Sequence, residues 1–231
     1  MAATLPLQPG PPGDAPLLQV RGLAGRRGER LLFEGLDLAL RPGEVVWLRG
    51  RNGRGKTTLL RLLCGLSAPA DGRVEIAGQP LARAGAEGRR PFVYIAHANA
   101  LKDDLTAAEA LRFLARLSNQ SPDEAQIAQA LARLGVGSRA AAPVRTLSQG
   151  QRRRVALARL ALPDAAPLWL LDEPFDALDD RGINVLNSLL TEHTHRGGAV
   201  LLTSHQPLTL ADPVPREWRL EAVNPPARTA S

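Results

Sequence analysis

The chain has 231 residues, enough for one well-buried domain with a lobe inserted in it but too few for two full domains. Its formal charge of +6 and pI of about 10.8 raise the question of a nucleic-acid partner, yet 3% aromatic residues are too few for the base-stacking platforms of single-strand binders. Because all but two of the 29 basic residues are arginine, we interpret the charge as scattered, solvated arginines and expect no nucleic-acid partner.

The first forty residues divide into a leader and a strand-rich segment. Residues 1–16 contain five prolines and no periodic apolar face, which predicts a disordered leader. From 17 to 40, short apolar runs are interrupted by glycines, a pattern typical of antiparallel strands and hairpins. The folded domain is therefore expected to begin at 17.

A glycine-rich loop follows the short apolar run 45–48, which has the composition of a buried strand. The loop matches the full phosphate-binding pattern over Gly50, Arg51, Asn52, Gly53, Arg54, Gly55, Lys56 and Thr57. A helix-like run begins at Thr58, which we include among the nucleotide-binding residues. Strand, loop and helix in this order favour a phosphate site over an ordinary glycine-rich turn.

The chemistry of this loop predicts a nucleoside triphosphate as ligand. Successive backbone N–H groups and the N-terminus of the following helix point at one anion. The side chain of Lys56 reaches the β and γ phosphates, and Thr57 offers its hydroxyl to Mg²⁺. The chain is therefore expected to bind a triphosphate together with a magnesium ion.

Further strands and a helical insert are predicted next. The runs 72–78 and 91–95 are strand-like. Within the segment from about 98 to 148, apolar residues recur three and four apart, which predicts a helical insert. Two capping boxes are predicted at its helix starts, Thr106 with Glu109 and Ser121 with Glu124.

The pattern of an α/β core then resumes up to a loose tail at 221–231. The predicted elements are a helix at 149–162, a strand at 168–171, a helix near 179–196 and a strand at 199–203. We therefore place a single domain at 17–220, with an α/β core, an antiparallel β region and a helical subdomain.

Two carboxylates, Asp172 and Glu173, stand directly after the buried strand 168–171. Beside a phosphate loop, Asp172 is placed to hold Mg²⁺ through water. Glu173 is placed to polarise the attacking water. Acidic residues before a proline also occur in plain turns, but the phosphate loop in the same chain favours the catalytic interpretation.

The motif Leu147-Ser148-Gln149-Gly150-Gln151 precedes this strand and opens a helix. With the phosphate loop and the carboxylate pair, it resembles the signature of the ATP-binding cassette (ABC) ATPases, which usually reads Leu-Ser-Gly-Gly-Gln. Asp179 and His205 follow in the order of motifs found in that family. The resemblance covers about 17–210 and implies a P-loop NTPase fold with a RecA-like core that binds ATP and Mg²⁺.

This resemblance implies a composite ATP site in a homodimer. Two subunits pair head to tail, with ATP between the phosphate loop of one subunit and the signature of the other. The Ser148 hydroxyl and the Gly150 N–H then contact the γ-phosphate from the opposite subunit. His205 contacts the γ-phosphate and holds the lytic water with Glu173, so these two residues are the expected catalytic pair.

Three positions depart from the family pattern. His97 stands where a glutamine usually senses Mg²⁺ and the transport partner, and Gln149 replaces the first glycine of the signature. The aromatic residue that usually stacks on adenine is missing from the end of the first strand pair. The guanidinium of Arg27, or alternatively that of Arg26, is the expected replacement.

The segment 94–106, with His97-Ala98-Asn99 in place of the usual glutamine loop, narrows the resemblance. Together with the loop 50–55 it is similar to the ATPase subunits of the cytochrome c maturation system, described as haem exporters. This implies hydrophobic membrane subunits as partners and a peripheral location on the cytoplasmic face of a bacterial inner membrane, with haem either exported or released from its holder. The alternatives are an ATPase subunit of another ABC transporter and a soluble ABC ATPase that acts on nucleic acid.

Neither a metal cluster nor a membrane span is predicted. The single cysteine, Cys64, excludes an intrachain disulfide and a cysteine-cluster zinc site. His193 and His195 lie among polar residues near a predicted helix end, where a solvated face is favoured over a metal clip. No apolar run approaches the roughly 18 residues of a membrane-spanning helix.

Overall fold

The computed structural model describes residues 15–84, 91–118, 120–163 and 166–220. The predicted tail, and all but the last two residues of the predicted leader, lie outside these ranges. The strands are β1 Leu18–Arg27, β2 Arg30–Leu40, β3 Val45–Arg49, β4 Asp71–Ile76, β5 Gln79–Pro80, β6 Phe92–Ile95, β7 Leu168–Leu171, β8 Ala199–Thr203 and β9 Arg216–Arg219. The α-helices are α1 Lys56–Leu63, α2 Leu81–Ala84, α3 Ala107–Arg116, α4 Glu124–Arg133, α5 Gln149–Leu157 and α6 Asp180–His195.

A parallel sheet with the order β6-β7-β8-β3-β9 forms the centre of the molecule. Its inner strands are short, apolar and covered on both faces, and every residue of β7 and β8 is buried, as parallel strands require. Strand β9 was not predicted, because its sequence Arg-Glu-Trp-Arg offers only one buried apolar residue, Trp218. The carboxyl ends of all five strands meet at one edge, which is where a ligand site is expected.

A second, antiparallel sheet with the order β2-β1-β4-β5 confirms the predicted β region. Strand β1 pairs with β2 on one side and with β4 on the other, and Leu18 faces both Leu40 and Ile76 in register. These side chains are buried, so the inner face of this sheet is part of the core.

Alternate residues of the central strands point to two separate cores. In β7, Leu168 and Leu170 pack with the antiparallel sheet and α1, whereas Trp169 and Leu171 pack with the helices on the other face. Because side chains alternate across a strand, one four-residue strand contributes to both hydrophobic layers. Burial of each such side chain stabilises the fold by ~1.5–3 kcal/mol.

The helical insert confirms one predicted capping box and corrects the other. The Thr106 side chain accepts from the Glu109 N–H, and the Glu109 carboxylate accepts from the Thr106 N–H. The second box is formed by Asp123 and Gln126 and not by Ser121 and Glu124. The Asp123 carboxylate accepts from the Gln126 N–H at 2.8 Å, so helix α4 begins at Glu124 with an acid near its positive end.

His193 does not lie on a solvated face as predicted. It is 5% exposed, and its ring stacks on the indole of Trp169 with centroids 3.7 Å apart and an interplanar angle of 9°. Its Nε2 lies 3.0 Å from the carbonyl oxygen of Pro167. Burial lowers the pKa of His193 to about 4, because removing the ring from water disfavours its charged form.

Candidate functional site

A cleft of about 330 Å³ opens at the carboxyl edge of the parallel sheet. The loops that follow β3, β6, β7 and β8 contribute to it, together with the end of β1 and the start of β2. Its lining residues are Arg27, Leu32, Arg51, Asn52, Gly53, Arg54, Gly55, Lys56, Thr57, Thr58, His97, Asp172, Glu173, Asp176 and His205. Most of the residues that sequence patterns assigned to nucleotide, metal and catalysis thus share one cleft.

The phosphate loop leads directly into α1. Gly55 precedes the helix with φ 100° and provides no side-chain cap, so the first N–H groups of α1 have no side-chain oxygen as partner at this cap. A Cβ at Gly55 would lie 3.1 Å from side-chain carbons of Leu32 and Phe33. Glycine is therefore required here both by the left-handed backbone and by close packing.

Three side chains, Thr57, Asp172 and Thr203, form a connected hydrogen-bond network at the floor of the cleft. Thr57 Oγ1 donates to Asp172 Oδ2 at 2.8 Å, and Thr203 Oγ1 donates to Asp172 Oδ1 at 2.8 Å. Lys56 Nζ donates to the carbonyl oxygen of Gly50 at 2.7 Å. The network joins the phosphate loop to the ends of β7 and β8. Thr203 was missed by the sequence reasoning, since a threonine at a strand end carries no signal of its own.

Glu173 is 7% exposed and has a left-handed backbone with φ 49°. Its N–H donates to Thr203 Oγ1 at 2.8 Å, and its Oε2 accepts from the N–H of His205 at 2.9 Å. Its Oε1 lies 3.3 Å from His205 Nε2 but has no hydrogen-bond partner in the described part of the chain. One carboxylate oxygen is thus anchored by a backbone N–H, and the other lies beside the His205 ring.

His97 lines the cleft from the loop after β6 and is 68% exposed at its side chain. Its Nδ1 lies 3.4 Å from Asp176 Oδ2. Asp176 also lines the cleft and was missed by the sequence reasoning. Its position four residues after Asp172 in an acidic turn was the available signal.

Arg27 and Arg26, the two alternatives for an adenine contact, are separated by the structure. Arg27 lines the cleft beside Leu32, whereas Arg26 lines a different surface depression with Asp71. Successive side chains of a strand point to opposite sides, so only one of the two faces the phosphate loop.

The signature residues lie at the N-terminus of α5 and do not line this cleft. Ser148 is the N-cap, and its side chain accepts from the Gln151 N–H at 3.2 Å, with Gln151 completing a capping box. A Cβ at Gly150 would lie 2.8 Å from the carbonyl oxygen of Ala177. A side chain there would force the turn after β7 to move. Within one chain, therefore, the signature and the phosphate loop are apart.

Arg153, in the same helix, is the middle one of three consecutive arginines. It is 2% exposed, and burial lowers its pKa, opposed by the nearby Asp176, Asp172 and Glu173 carboxylates. Its guanidinium donates to backbone oxygens of the turn that carries Glu173. Helical spacing is the only sequence signal that separates Arg153 from its more exposed neighbour Arg152.

The donors and acceptors in this cleft have distinct chemical uses. The helix N-terminus, Lys56 and the two loop arginines favour a polyphosphate anion. Oxygen ligands from Thr57 and Asp172 fit Mg²⁺, which prefers carboxylate and hydroxyl oxygens. No group of three or more His, Cys, Asp or Glu side chains within the described ranges is arranged to hold a metal by itself.

Comparison with known proteins gives one consistent family. The family model described as ABC transporter matches residues 33–176. The "Cytochrome c biogenesis ATP-binding export protein CcmA" of Nitrosomonas europaea is 44% identical over 200 residues, covering 87% of this chain and 93% of that protein. The protein of the same name from Pseudomonas syringae pv. syringae is 49% identical over 195 residues, covering 84% of this chain and 90% of that protein.

Solved structures agree with these sequence relatives. An ATP binding subunit of an ABC transporter is 31% identical, with a TM-score of 0.72, and the match covers 82% of this chain and 79% of that one. A dimeric bacterial ABC transporter cassette, MJ0796, is 25% identical with a TM-score of 0.69, covering 82% and 88% of the two chains.

Proposed function

This chain belongs to the ABC transporter family, among the cytochrome c biogenesis ATP-binding export proteins, and we propose that it is the ATP-hydrolysing subunit of a membrane complex for cytochrome c biogenesis. The hydrolysis of ATP drives the export of haem or its release from a holder. The observation that carries the ATPase function is the Glu173 carboxylate, with one oxygen anchored by a backbone N–H and the other beside His205, in the same cleft as the phosphate loop.

Different residues of the cleft bind the phosphates, accept the proton and orient the water. Backbone N–H groups at the start of α1 and the Lys56 ammonium stabilise the charge on the β and γ phosphates. The free oxygen of Glu173 accepts a proton from water as the water oxygen attacks the γ-phosphorus. The bond from the γ-phosphorus to the bridging oxygen then breaks, and ADP leaves with that oxygen. His205, next to the same carboxylate oxygen, orients the water and the γ-phosphate.

Thr57 and Asp172 would hold Mg²⁺, with Asp172 acting through water. Their oxygens are 2.8 Å apart at the floor of the cleft, which matches the oxygen-rich, partly hydrated coordination that this ion takes. When bound, the ion neutralises charge on the phosphate oxygens. Thr203 keeps the Asp172 carboxylate oriented toward Thr57 by holding its other oxygen.

Two of these subunits form the working ATPase. The separation of the signature from the phosphate loop within one chain supports an arrangement in which Ser148 and Gly150 act on the ATP of a second copy. The Ser148 hydroxyl and the Gly150 N–H then complete the γ-phosphate site. His97 contributes from the loop after β6, and the Arg27 guanidinium stacks on the adenine.

Association with the membrane is through partners. None of the helices in the described ranges has the length and apolar composition to cross a bilayer. We place the protein on the cytoplasmic face of a bacterial inner membrane, held there by hydrophobic subunits of the cytochrome c biogenesis complex. This location follows the relatives' biogenesis and export role.

The function is tested by deleting the gene and measuring covalently bound haem in c-type cytochromes by in-gel haem staining. We expect the stain to disappear, to return with the wild-type gene, and to stay absent with Glu173→Gln. A tagged chain is expected to co-purify from detergent-solubilised membranes with hydrophobic subunits. Normal c-type cytochromes in the deletion strain would assign the ATPase to a different transporter.

A further inference from the structure

Arg153 is a buried cation whose contacts are almost all with main-chain oxygens. In the described part of the chain it forms no ion pair with a carboxylate, and its donors go to two loops. Nη1 donates to Ala96 O at 2.8 Å and to Asn99 Oδ1 at 3.1 Å, Nη2 to Asp172 O at 3.1 Å and to Glu173 O at 2.7 Å, and Nε to Pro174 O at 3.4 Å. One guanidinium therefore connects α5 to both the loop after β6 and the turn after β7.

Burying the Arg153 guanidinium costs free energy, and its hydrogen-bond geometry is specific to arginine. A charge removed from water is tolerated only where its donors are satisfied, and here all three guanidinium nitrogens have acceptors. The planar fork of arginine can donate in several fixed directions at once, which the ammonium of lysine cannot do from the same position. The directions of the arginine donors therefore match the positions of the acceptor oxygens around them.

The turn that Arg153 contacts contains strain. Glu173 has φ 49°, a region that residues other than glycine seldom adopt unless the surroundings hold them there. Both of its peptide groups are held. Its N–H donates to Thr203 Oγ1 at 2.8 Å, and its carbonyl oxygen accepts from Arg153 Nη2 at 2.7 Å. The conformation that directs the carboxylate into the cleft thus depends on two side chains from other elements.

We propose that Arg153 is a positioning residue for Glu173: its guanidinium, with the Thr203 hydroxyl on the opposite side, holds the left-handed turn that directs the carboxylate toward His205 and the cleft. The same guanidinium ties this turn to Ala96 and Asn99, the residues on either side of His97 and Ala98. A shift of the loop after β6 is therefore transmitted to the catalytic turn through one side chain. The inference rests on the proposed ATPase function.

The test compares kcat and KM for MgATP in the full-length wild type, Arg153→Lys and Arg159→Lys. Arg159 is the matched control, because it lies on the continuation of α5 and donates to the carbonyl oxygen of Tyr94 at 3.1 Å and to Ser118 Oγ at 3.2 Å, two acceptors outside the turn. Rates are expressed per nucleotide-binding site, so that unfolded protein does not count. We expect Arg153→Lys to lose about 100-fold in kcat, as for a misplaced catalytic group, with KM within about threefold of wild type and Arg159→Lys near wild type in both.

A second pair of variants tests the opposite side of the turn and remains informative where Arg153→Lys does not fold. Thr203→Ser keeps the hydroxyl that accepts from the Glu173 N–H, and Thr203→Val removes it while preserving shape. Thr203 also donates to Asp172, so Mg²⁺ is kept saturating for each variant, and under these conditions we expect Thr203→Ser to retain most of the kcat and Thr203→Val to lose it.

The outcomes separate this inference from the function on which it rests. A wild type without ATP hydrolysis would overturn both. An active wild type together with an equally active, folded Arg153→Lys would overturn the inference alone. Equal losses in Arg159→Lys, or in both Thr203 variants, would do the same, because they would show a general sensitivity of this region and not a positioning effect.

Discussion

At the residue scale, Glu173 combines a strained backbone with an asymmetric carboxylate. Oε2 is held by the His205 N–H, while the buried Oε1 has no hydrogen-bond partner among the described residues. A carboxylate oxygen is an acceptor with more than one lone pair, so Oε1 can accept a hydrogen bond from a ligand during function. A water molecule attacking a γ-phosphate is such a donor.

We predict that Glu173→Gln binds ATP as the wild type does but loses about 100-fold or more in kcat, the usual contribution of a general base. The amide keeps the shape of the side chain and removes the negative charge that polarises water. Phosphate release and nucleotide binding measure the two effects separately. Light scattering with MgATP should show an accumulated dimer, and hydrolysis at the normal rate would contradict the role of Glu173.

Arg27 gives a second prediction at the residue scale, and its neighbour Arg26 is the control. Its guanidinium lines the cleft, and loss of stacking worth ~1 kcal/mol should raise KM for ATP about fivefold. The kcat should stay unchanged, because the adenine takes no part in the bond that breaks. Arg27→Ala is compared with Arg26→Ala, which should keep the wild-type KM. A larger effect in Arg26→Ala would reverse the assignment.

At the scale of secondary-structure elements, helix starts are the clearest local features. Helices α3, α4 and α5 each begin with a complete capping box. At α4, Asp123 is preferred to Ser121, because a carboxylate both caps the N–H groups and interacts with the helix dipole. The choice between two nearby capping residues determines where the helix begins.

The position of this cap can be tested by stability measurements. We predict that Asp123→Ala lowers the free energy of unfolding by ~1 kcal/mol, the usual cost of removing an N-cap. Ser121→Ala should change it by less than ~0.3 kcal/mol, because Ser121 lies outside the box formed by Asp123 and Gln126. Urea unfolding of the two variants and the wild type gives the comparison, and equal losses would contradict the corrected helix start.

The contact between α6 and β7 makes stability depend on pH. The folded-state pKa of His193 is about 4, below the ordinary value near 6.5. As the pH falls below 6.5, the unfolded chain binds a proton that the folded chain does not, so this contribution is complete above pH 6.5 and is lost as the pH falls toward 4. The total loss is about 3 kcal/mol at 1.36 kcal/mol per pKa unit.

Denaturant unfolding at a series of pH values between 7 and 4 measures this effect. In His193→Gln, which has no titrating ring, we expect the decline across this range to be shallower than in the wild type. His195→Gln is the control, because His195 is exposed on the same helix and pairs with Asp212 at the surface. Parallel curves for wild type and His193→Gln would show that other groups cause the acid sensitivity.

At the scale of the whole molecule, the main feature is that the signature and the phosphate loop lie apart within one chain. The phosphate loop and the carboxylates share a cleft, while Ser148 and Gly150 lie elsewhere at the N-terminus of α5. A dimeric cassette is among the solved structures with this fold. Two inactive variants should therefore complement each other when they carry their defects on opposite sides of one composite site.

We predict that Lys56→Ala loses ATP affinity, because the ammonium interacts with the phosphates. Ser148→Arg should bind ATP nearly as well as the wild type but fail to hydrolyse it, since the serine acts on the nucleotide of the other subunit. A mixture should recover part of the wild-type rate, because some dimers contain one intact site. Mixed dimers that form without any recovered activity would contradict the arrangement across the subunits.

The sequence by itself determined the chemistry of the site and the main outline of the fold. The phosphate loop, the carboxylate pair and the signature are runs of a few consecutive residues, and their spacing encodes the required backbone geometry locally. Strand and helix positions were also largely predictable, because apolar periodicity reflects which side of each element is buried. Strand β9 was an exception, since four mostly polar residues at a sheet edge carry little periodic signal.

Only the tertiary structure decided which distant residues meet. Arg153 and Thr203 reach the turn after β7 from separate elements, and no local pattern marks their contacts with Glu173. Likewise, His193 became a buried partner of Trp169 and not a solvated residue, because packing between α6 and β7 overrides the polarity of its sequence neighbours. The physical reason is that a buried polar group takes its partners from whatever the strand order brings beside it, and that order is a property of the whole chain.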